Sequence, residues 1–403
     1  METNGSMRQR ALKVIEGEQP DRLPFITRLE AWYKSHLRTG TLPPEFRGMA
    51  LPELHRTIRV GQLKFVVPFA YRLRGVEVNV WHNHERIVQE YEPILENFPG
   101  VWDFVPTDKA GITLTELVTP KGKLRLKHRL LEENVLTGTD PYLQEHLIKE
   151  ESDFGTVEYI LEQLEWIPRF ESYSSEQAQL GGNAFVVPLL LRIPFQQVLL
   201  EYLGETSLFY SLYDHPKQTQ RLLKLLDEQM LELLERLGEF NVPYIEFPDN
   251  LHGMMTNPKL FQKYCLPAYQ RYAKILHGQG KKVGSHTDGN LKPLLRYLAE
   301  SGLDVCESFS PYPLTECRFE EAWSAWESGP VIWGGIPSPL LEETTRPDEF
   351  AVYIESLLAK IDRPVILGVV DLFMRHNSIE RVRQIAQELE NKRWQSSKTN
   401  APV

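Results

Sequence analysis

Short apolar runs alternate with longer amphipathic segments along most of the chain. Apolar residues at helical spacing predict helices over segments such as 153–166 and 217–237, and a last helix from about Ser378. The apolar runs predict eight strands, which lie near Pro24, Phe65, Phe185, Tyr244, Val283, Val305, Ile332 and Ile366. Because eight strands alternating with helices are typical of a (β/α)8 TIM barrel, we expect one α/β barrel domain over residues 1–403. A doubly wound α/β sheet is the competing fold.

The pattern changes between about residues 76 and 130, where short segments alternate polar and apolar residues. Segments 112–117 and 122–126 flank a turn that contains Pro120 and Gly122, which is typical of a β-hairpin. We therefore expect a small β insertion at about 76–130 that decorates the barrel, in a position where loops over active sites are common.

Composition and charge exclude several classes of protein. The chain has 403 residues and a net charge of −10, with its basic residues dispersed, so neither a nucleic-acid surface nor a basic membrane patch is expected. No apolar run approaches the roughly 20 residues that cross a bilayer, and the first residues lack the apolar core of a signal peptide, so we expect a cytoplasmic protein. The glycine patterns GxGxxG after the first strand and GxxxxGK[ST] are absent, which leaves nucleotide binding without support.

The three cysteines narrow the choice of metal ligands. Cys265, Cys306 and Cys317 show no paired spacing, which indicates a reducing compartment and argues against disulfides or a cysteine-rich zinc site. Any metal in this chain would therefore be held by histidine and carboxylates.

Polar side chains gather where the predicted strands end. In the stretch 282–290, His286 and Asp288 follow an apolar run, and a spacing of two in extended chain places both on one face, which suits a metal or an acid–base pair. The other predicted strand ends carry Glu246, Asp249, Glu307 and Asp371. The carboxyl ends of barrel strands share one rim, and a histidine nitrogen with two or three carboxylates can bind Zn²⁺, Mn²⁺ or Fe²⁺.

Each of these residues also has an ordinary structural explanation. Asp288 and Asn290 can cap the helix that follows, with His286 as a turn residue. Any single carboxylate can pair with Arg28, Arg192 or Arg375. Convergence favours the metal, because carboxylates forced together must share a proton, pair with a base or bind a cation. The aromatic residues near the first strands either pack in the core or wall a substrate pocket.

With these residues in view, the chain resembles the uroporphyrinogen decarboxylase superfamily, which also contains corrinoid-linked methyltransferases. The motifs that carry the resemblance are Pro-Asp-Arg-Leu-Pro at 20–24, His-Thr-Asp-Gly-Asn at 286–290, Ser-Gly-Leu-Asp at 301–304, Gly-Gly-Ile at 334–336 and Ile-Leu-Gly at 366–368. The resemblance implies the barrel independently of the strand pattern.

Departures from the decarboxylase pattern point to the methyltransferase branch. Decarboxylases carry Met-Arg-Gln-Ala-Gly-Arg after the first strand, whereas here Arg28 precedes Leu-Glu-Ala. The aspartate expected at the end of the second strand is replaced by Val-Pro-Phe at 67–69, and the histidine of a Leu-Gly-His-Gly turn by Val369. The residues that process a tetrapyrrole with many carboxylates are therefore missing.

The methyltransferase branch implies a set of metal ligands. Its His-x-Cys pair matches His286 with Asp288 in place of the cysteine, a glutamate in some members matches Glu307, and its final cysteine matches Asp371 or its neighbour. The resemblance thus implies that His286, Glu307 and Asp371 bind a divalent metal, zinc by analogy. An oxygen-rich site of this kind is suited to polarising an ether or phenolate oxygen rather than to activating a thiol.

We therefore expect a metal-dependent methyltransferase. It would move a methyl group, for example by O-demethylation, between a small methylated or methoxylated compound, aromatic compounds included, and a corrinoid such as methylcobalamin on a carrier protein. Asp288 or Glu246 would transfer protons. The residues expected to bind substrate are Arg28, Trp32, Tyr71, Trp81, Arg192, Asp249 and Asn250. The alternatives are a decarboxylase of a small carboxylate, held by Arg28 or Arg192, and a non-catalytic barrel that binds a corrinoid or tetrapyrrole.

Overall fold

The computed structural model describes residues 5–96, 102–326, 329–370 and 372–391. Strands in these residues are β1 (Ile26–Thr27), β2 (Gly61–Val66), β3 (Phe69–Leu73), β4 (Glu77–His82), β5 (Glu85–Tyr91), β6 (Ile94–Leu95), β7 (Gly111–Thr119), β8 (Gly122–Leu130), β9 (Tyr142–Glu145), β10 (Leu164–Pro168), β11 (Ala184–Pro188), β12 (Tyr244–Phe247), β13 (Lys282–His286), β14 (Val305–Phe309), β15 (Val331–Pro337) and β16 (Ile366–Val370). The helices are α1 (Met7–Ile15), α2 (Glu30–Thr39), α3 (Leu51–Thr57), α4 (Glu132–Thr137), α5 (Glu151–Glu162), α6 (Phe170–Leu180), α7 (Pro194–Gln197), α8 (Glu205–Asp214), α9 (Pro216–Arg236), α10 (Pro258–Leu260), α11 (Leu266–Gly278), α12 (Leu295–Ala299), α13 (Phe319–Ala325), α14 (Pro347–Lys360) and α15 (Ile379–Asn391).

All eight strands expected from the apolar runs belong to two parallel sheets. One sheet has the order β1-β2-β11 and the other the order β12-β13-β14-β15-β16. Single parallel bridges join the sheets at both edges, between Phe25 and Leu367 and between Leu189 and Glu246. The ladders thus show two parallel sheets in a mixed α/β fold rather than one continuous eight-stranded ladder.

One buried cluster receives side chains from strands of both parallel sheets. It contains Ile26, Leu63, Phe185, Val187, Tyr244, Val305, Trp333 and Ile366, with Ala11, Val14 and Ile15 of α1 packed against them. These strand residues are apolar because they face inward on a sheet whose other face is covered by helices. The inner faces of the two sheets therefore share one core.

The β insertion is larger than the expected 76–130. Two antiparallel sheets, with orders β10-β3-β6 and β5-β4-β7-β8-β9, occupy the chain from β3 to β10. The predicted hairpin is present as β7 and β8, but residues 164–166, expected as the end of the 153–166 helix, belong to β10, which pairs with β3. Such a pairing across a long stretch of chain leaves no local turn signal, and this explains why the pattern missed it.

The long helices agree with the apolar periodicity. In α9, predicted over 217–237, Leu222, Leu226, Met230 and Leu233 are completely or almost completely buried at helical spacing. The last helix, α15, begins at Ile379, one residue after the expected start. All three cysteines are free and buried. In the described part of the chain, no helix is both long and apolar enough to span a membrane.

Candidate metal centre

Three neighbouring strands bring two glutamates and a histidine together. Glu246 lies in β12, His286 ends β13, and Glu307 lies in β14, with His286 and Glu307 paired in the parallel register. Glu246 pairs with Gly284, two residues before His286, so the two side chains lie on the same face of the sheet. One possible ligand atom from each of the three residues lies within 4.8 Å of the others. The expected convergence of polar strand ends is present for these three residues.

In this triad, Glu246, His286 and Glu307, one fully buried carboxylate oxygen has no hydrogen-bond partner among the described residues. His286 Nδ1 is hydrogen-bonded to Glu307 Oε2. Glu246 Oε2 accepts a hydrogen bond of 2.8 Å from the Tyr244 hydroxyl. Glu246 Oε1 is buried and has no hydrogen-bond partner among the described residues. A buried acceptor without a partner costs about 1–3 kcal/mol, and more if it is charged, so a cation at this oxygen would remove a real penalty.

The ionisation of the triad follows from burial and from the closeness of its charges. Burial, followed by the Glu307 carboxylate, raises the pKa of Glu246 well above its usual range. Burial lowers the pKa of His286, but the charge and hydrogen bond of Glu307 and the charge of Asp288 together outweigh burial, and the net shift of that pKa is upward. With both carboxyl groups ionised, the triad would carry more negative charge than one imidazolium balances, and either a proton on Glu246 or a bound cation would remove that excess. This donor set fits Zn²⁺, Mn²⁺ or Fe²⁺, which bind histidine nitrogen and carboxylate oxygen.

Unusual backbone conformations lie beside the triad. Ser308, directly after Glu307, has a φ of 59°. The pairing of β14 with β15 is irregular between Cys306 and Phe309, the signature of a bulge that redirects side chains at the end of a strand. Gly334 of β15 faces this bulge, and a Cβ there would lie 2.8 Å from the Phe309 nitrogen. The glycine thus allows the close approach of β15 that accompanies the redirected Glu307.

Of the polar residues after β13, one caps the following helix and another lies beside the triad. Asn290 Oδ1 accepts a hydrogen bond of 3.1 Å from the Lys292 backbone nitrogen, as the capping alternative expects. Asp288 instead faces the triad, with its Oδ2 3.7 Å from His286 Nε2. Its side chain is about one-third exposed, at 32%. It is therefore the carboxylate next to the triad that solvent and a substrate can reach.

Asp249 does not join the triad. Its carboxylate accepts hydrogen bonds from the Ile193 nitrogen (2.8 Å), the Tyr269 hydroxyl (2.6 Å) and the Ser285 hydroxyl (2.9 Å). The residue is completely buried. Asp249 thus ties the loop after β11 to β12 and β13, and its expected contact with substrate has no exposed surface through which to occur.

Arg192 and Asn250 lie together at the same end of the sheet. Arg192 Nε is 2.9 Å from Glu201 Oε1, and its Nη1 donates a 3.1 Å hydrogen bond to Asn250 Oδ1. Asn250 has a φ of 48°, a strained conformation for a residue other than glycine. Burial raises the pKa of Glu201 to about 7 despite the attraction of Arg192.

This raised pKa predicts a pH-dependent contribution of Glu201 to stability. The folded state holds the Glu201 proton up to about pH 7, whereas an unfolded glutamate releases it near 4.5, so this contribution falls as pH rises through that window. We expect the wild type to lose about 2 kcal/mol of unfolding free energy relative to Glu201→Gln between pH 4.5 and 7. Denaturant unfolding of both proteins across this range measures the difference. A difference that does not change with pH would contradict the raised pKa.

Arg28 lies at the end of β1, next to the triad. Its guanidinium stands over the Phe65 ring, 5.1 Å from the ring centroid. A cavity of about 10 Å³, room for about one water molecule, is lined by both Arg28 and Glu307. The positive charge of Arg28 is also close enough to lower the pKa values of Glu246 and His286. Among the expected substrate residues, Arg28 is thus placed beside the reacting region.

The aromatic residues expected to wall a pocket are mostly core residues. Trp32 and Tyr71 are only 2% and 1% exposed. The Trp32 indole donates a hydrogen bond of 3.2 Å to the Asn377 carbonyl, and Tyr71 packs edge-on against Trp166. Trp81 is half-buried in β4 of the insertion. Trp32 and Tyr71 therefore pack in the core, as the packing alternative expects, and a role of these three residues in substrate binding stays a prediction. Asp371, the expected third metal ligand, lies outside the described residues.

Comparisons with known proteins were informative at the level of family and fold. Residues 204–389 match the family described as "Uroporphyrinogen decarboxylase (URO-D)". A solved structure of a methyltransferase from Methanosarcina mazei superposes with a TM-score of 0.53 at 13% identity, covering 96% of this chain and 99% of that one. A pneumococcal structure, the tandem GH20 catalytic modules of the exo-β-D-N-acetylglucosaminidase StrH, reaches a TM-score of 0.34 at 9% identity over 92% of this chain and 83% of that one. That second likeness is too low to carry an argument. No match was found among curated protein sequences.

Proposed function

We propose that this chain, whose residues 204–389 match the uroporphyrinogen decarboxylase family, is a metal-dependent methyltransferase. It would transfer a methyl group between a small methylated or methoxylated compound and a corrinoid on a carrier protein. The fold it shares with the Methanosarcina mazei methyltransferase over nearly the full length of both chains supports the reaction class. The corrinoid partner follows from the resemblance of the sequence motifs to that branch of the family.

The observation that carries the proposal is the triad with its unused oxygen. Glu246, His286 and Glu307 offer three ligand atoms within 4.8 Å, and Glu246 Oε1 has no hydrogen-bond partner among the described residues. Glu246, expected from the sequence to transfer protons, thus becomes a proposed metal ligand. Asp371, which follows β16, is retained as a proposed further ligand.

The proposal includes closure of the two parallel sheets into one eight-stranded barrel. The single parallel bridges at both sheet edges support it, as does the core that β1, β11, β12 and β15 share. In such a barrel the carboxyl ends of the strands form the face where the active site lies. The triad, Arg28 and Asp288 all lie at that end of their strands.

Different residues would have different roles in demethylation. A bound divalent cation would polarise the atom that carries the methyl group and so make it a better leaving group. Asp288, beside His286 and one-third exposed, would hold a proton for the departing atom. Arg28 would orient the substrate through an anionic or polar group, and the buried floor under the triad would keep bulk water away from the metal.

Two assays on the purified protein test this function. We expect about one Zn²⁺ per chain after reconstitution, and formation of methylcobalamin from cob(I)alamin when a methoxylated aromatic compound is added. Protein that binds Zn²⁺ but transfers no methyl group from methoxylated or methylated amine donors would contradict the methyltransferase function. Failure to bind Zn²⁺, Mn²⁺ or Fe²⁺ would contradict the metal centre itself.

Decarboxylation of a small carboxylate is the second candidate. The position of Arg28 favours it, because this cation lines the cavity beside Glu307 and forms no ion pair with a carboxylate among the described residues. A carboxylate substrate could therefore pair with it. Release of CO2 from small carboxylic acids, with no methyl transfer, would favour this candidate over the first.

We predict that the protein does not turn over uroporphyrinogen. The sequence has Val-Pro-Phe at 67–69, where decarboxylases have an aspartate at the end of the second strand, and Val369 in place of the histidine of the final turn. Without these groups the proton transfers of that reaction have no donor or acceptor in place. Incubation with uroporphyrinogen under anaerobic conditions should yield no coproporphyrinogen, and formation at enzymatic rates would refute this prediction.

A further inference from the structure

A buried tyrosine hydroxyl holds one oxygen of the triad. Tyr244 begins β12 and is 1% exposed, and its hydroxyl donates the 2.8 Å hydrogen bond to Glu246 Oε2. Both residues point to the same side of the strand because they are two apart. The hydrogen bond fixes the plane of the carboxylate, and only Oε1, the oxygen without a partner, is left for another ligand.

The neighbouring strand makes room for this hydroxyl by having no side chain. Gly284 of β13 is paired with Glu246 in the parallel register. A Cβ on Gly284 would overlap the Tyr244 hydroxyl oxygen and lie 2.8 Å from its Cζ. Any other residue at position 284 would thus displace the hydroxyl from Glu246. The glycine also lies two residues before the proposed metal ligand His286 on the same strand.

An aromatic layer prevents the Tyr244 ring from turning away. Phe185 meets it edge-on with ring centroids 6.0 Å apart, and Trp333 packs at 6.3 Å. Phe185 and Trp333 also contact each other at 5.3 Å, and both are at most 2% exposed. Since a close-packed ring has no alternative rotamer, the hydroxyl is a fixed donor rather than a mobile one.

We infer that Tyr244, with the space that Gly284 leaves, is a positioning residue that presents Glu246 to the metal through Oε1 alone. This inference rests on the proposed function, because it requires the triad to bind a metal. A donor that fixes a metal-binding carboxylate improves affinity and decides how many of its oxygens coordinate. Without the hydroxyl, Glu246 is free to rotate and to bind through both oxygens or neither.

The test compares Tyr244→Phe with the wild type, using Zn²⁺ and Co²⁺ as probes. Loss of a group that orients a metal ligand typically weakens metal affinity by about 10- to 100-fold, and we expect that loss in competition titrations. The visible bands of bound Co²⁺ should also change, because the coordination of Glu246 changes. Rates of methyl transfer at saturating metal provide a further readout.

Tyr272→Phe is the matched control. Tyr272 is also completely buried, and its hydroxyl also donates to a carboxylate, Asp227, between α11 and α9 on the outside of the sheet. Both substitutions remove a buried tyrosine hydroxyl that donates to a carboxylate, but Asp227 is 21% exposed and paired with Arg271 rather than belonging to the triad. Tyr272→Phe should therefore cost comparable stability while leaving metal affinity and the Co²⁺ spectrum unchanged.

Gly284→Ala supplies a second, independent variant. The new methyl group should displace the Tyr244 hydroxyl and weaken metal affinity by a similar factor. If both substitutions act through this one hydroxyl, the double variant should bind metal within about twofold of Tyr244→Phe alone, the usual precision for such comparisons. Multiplying losses in the double variant would show that Gly284 acts by another route and would overturn its part of the inference.

The outcomes separate the inference from the function on which it rests. A wild type that binds neither Zn²⁺ nor Co²⁺ overturns the proposed metal centre, and the inference with it. A wild type that binds metal, with Tyr244→Phe retaining wild-type affinity and an unchanged Co²⁺ spectrum, overturns the inference alone, even if the variant is less stable.

Discussion

His286→Ala should abolish metal binding and methyl transfer while leaving the fold largely intact. His286 ends β13, and its two ring nitrogens face the Glu307 and Asp288 carboxylates, so the substitution removes polar contacts rather than apolar core packing. The substitution removes the single nitrogen donor of the triad. Even loss of a group that only orients a metal ligand costs about 10- to 100-fold in affinity, so loss of the ligand itself should cost more than about 100-fold. Metal titration and methyl-transfer assays measure both losses.

His277→Ala is the matched control for this variant. His277 precedes β13, at the opposite end from His286, and its Nε2 lies 2.7 Å from Asp304 Oδ2. The His277→Ala variant also loses one imidazole paired with a carboxylate, but we expect it to keep full metal affinity. His286→Ala protein with stoichiometric metal and near-native activity would remove His286 from the site and return it to the role of a turn residue.

Glu246→Gln should have opposite effects on metal affinity and on the stability of the metal-free protein. The amide keeps the shape of the side chain but removes a charge that the metal needs, so we expect affinity to fall by more than about 100-fold. Burial and Glu307 raise the pKa of Glu246, so the metal-free protein is destabilised by this carboxyl at neutral pH. A neutral amide, which can donate to Glu307, should stabilise that form by about 1–2 kcal/mol.

Asp249→Asn is the comparison that isolates this effect. Asp249 is equally buried, but three donors satisfy its carboxylate. An amide nitrogen in place of one oxygen would face a donor, so this variant should be less stable than the wild type by about 1–2 kcal/mol. Denaturant unfolding of both variants without metal tests whether the unfolding free energy rises in Glu246→Gln and falls in Asp249→Asn. If Glu246→Gln also destabilises the metal-free protein, Glu246 is a structural residue rather than a metal ligand.

The strand ends show how far the sequence alone identifies the site. Glu246, His286 and Glu307 were recognised because apolar runs mark buried parallel strands and polar residues at their ends share one edge. The residues that surround this triad could be identified only once the pairing of the strands was known. Tyr244 is an ordinary β-strand residue in the sequence, and only the structure shows that Gly284, which is paired with Glu246, leaves room for the Tyr244 hydroxyl to reach that glutamate. The short apolar run that contains Glu246 gives no indication that a tyrosine hydroxyl holds this carboxylate.

The surroundings of the expected pocket residues could not be predicted from the sequence for a different physical reason. Aromatic residues near a strand end are equally consistent with core packing, and their direction depends on helix and strand positions that periodicity does not fix. Trp32 and Tyr71 are buried on the core side for that reason. The pairing of β3 with β10 is similarly invisible, because the two strands are distant in sequence and no short turn joins them.

The position of a bound metal tests the central claim most directly. Crystals of the protein grown with Zn²⁺ should give one strong anomalous peak per chain at the carboxyl ends of β12, β13 and β14. The account predicts ligand distances of about 2.0–2.2 Å from this peak to Glu246 Oε1, to a ring nitrogen of His286 and to a Glu307 oxygen. A fully loaded crystal whose zinc lies elsewhere, with Glu246 Oε1 still without a ligand, would contradict the metal centre and the function built on it.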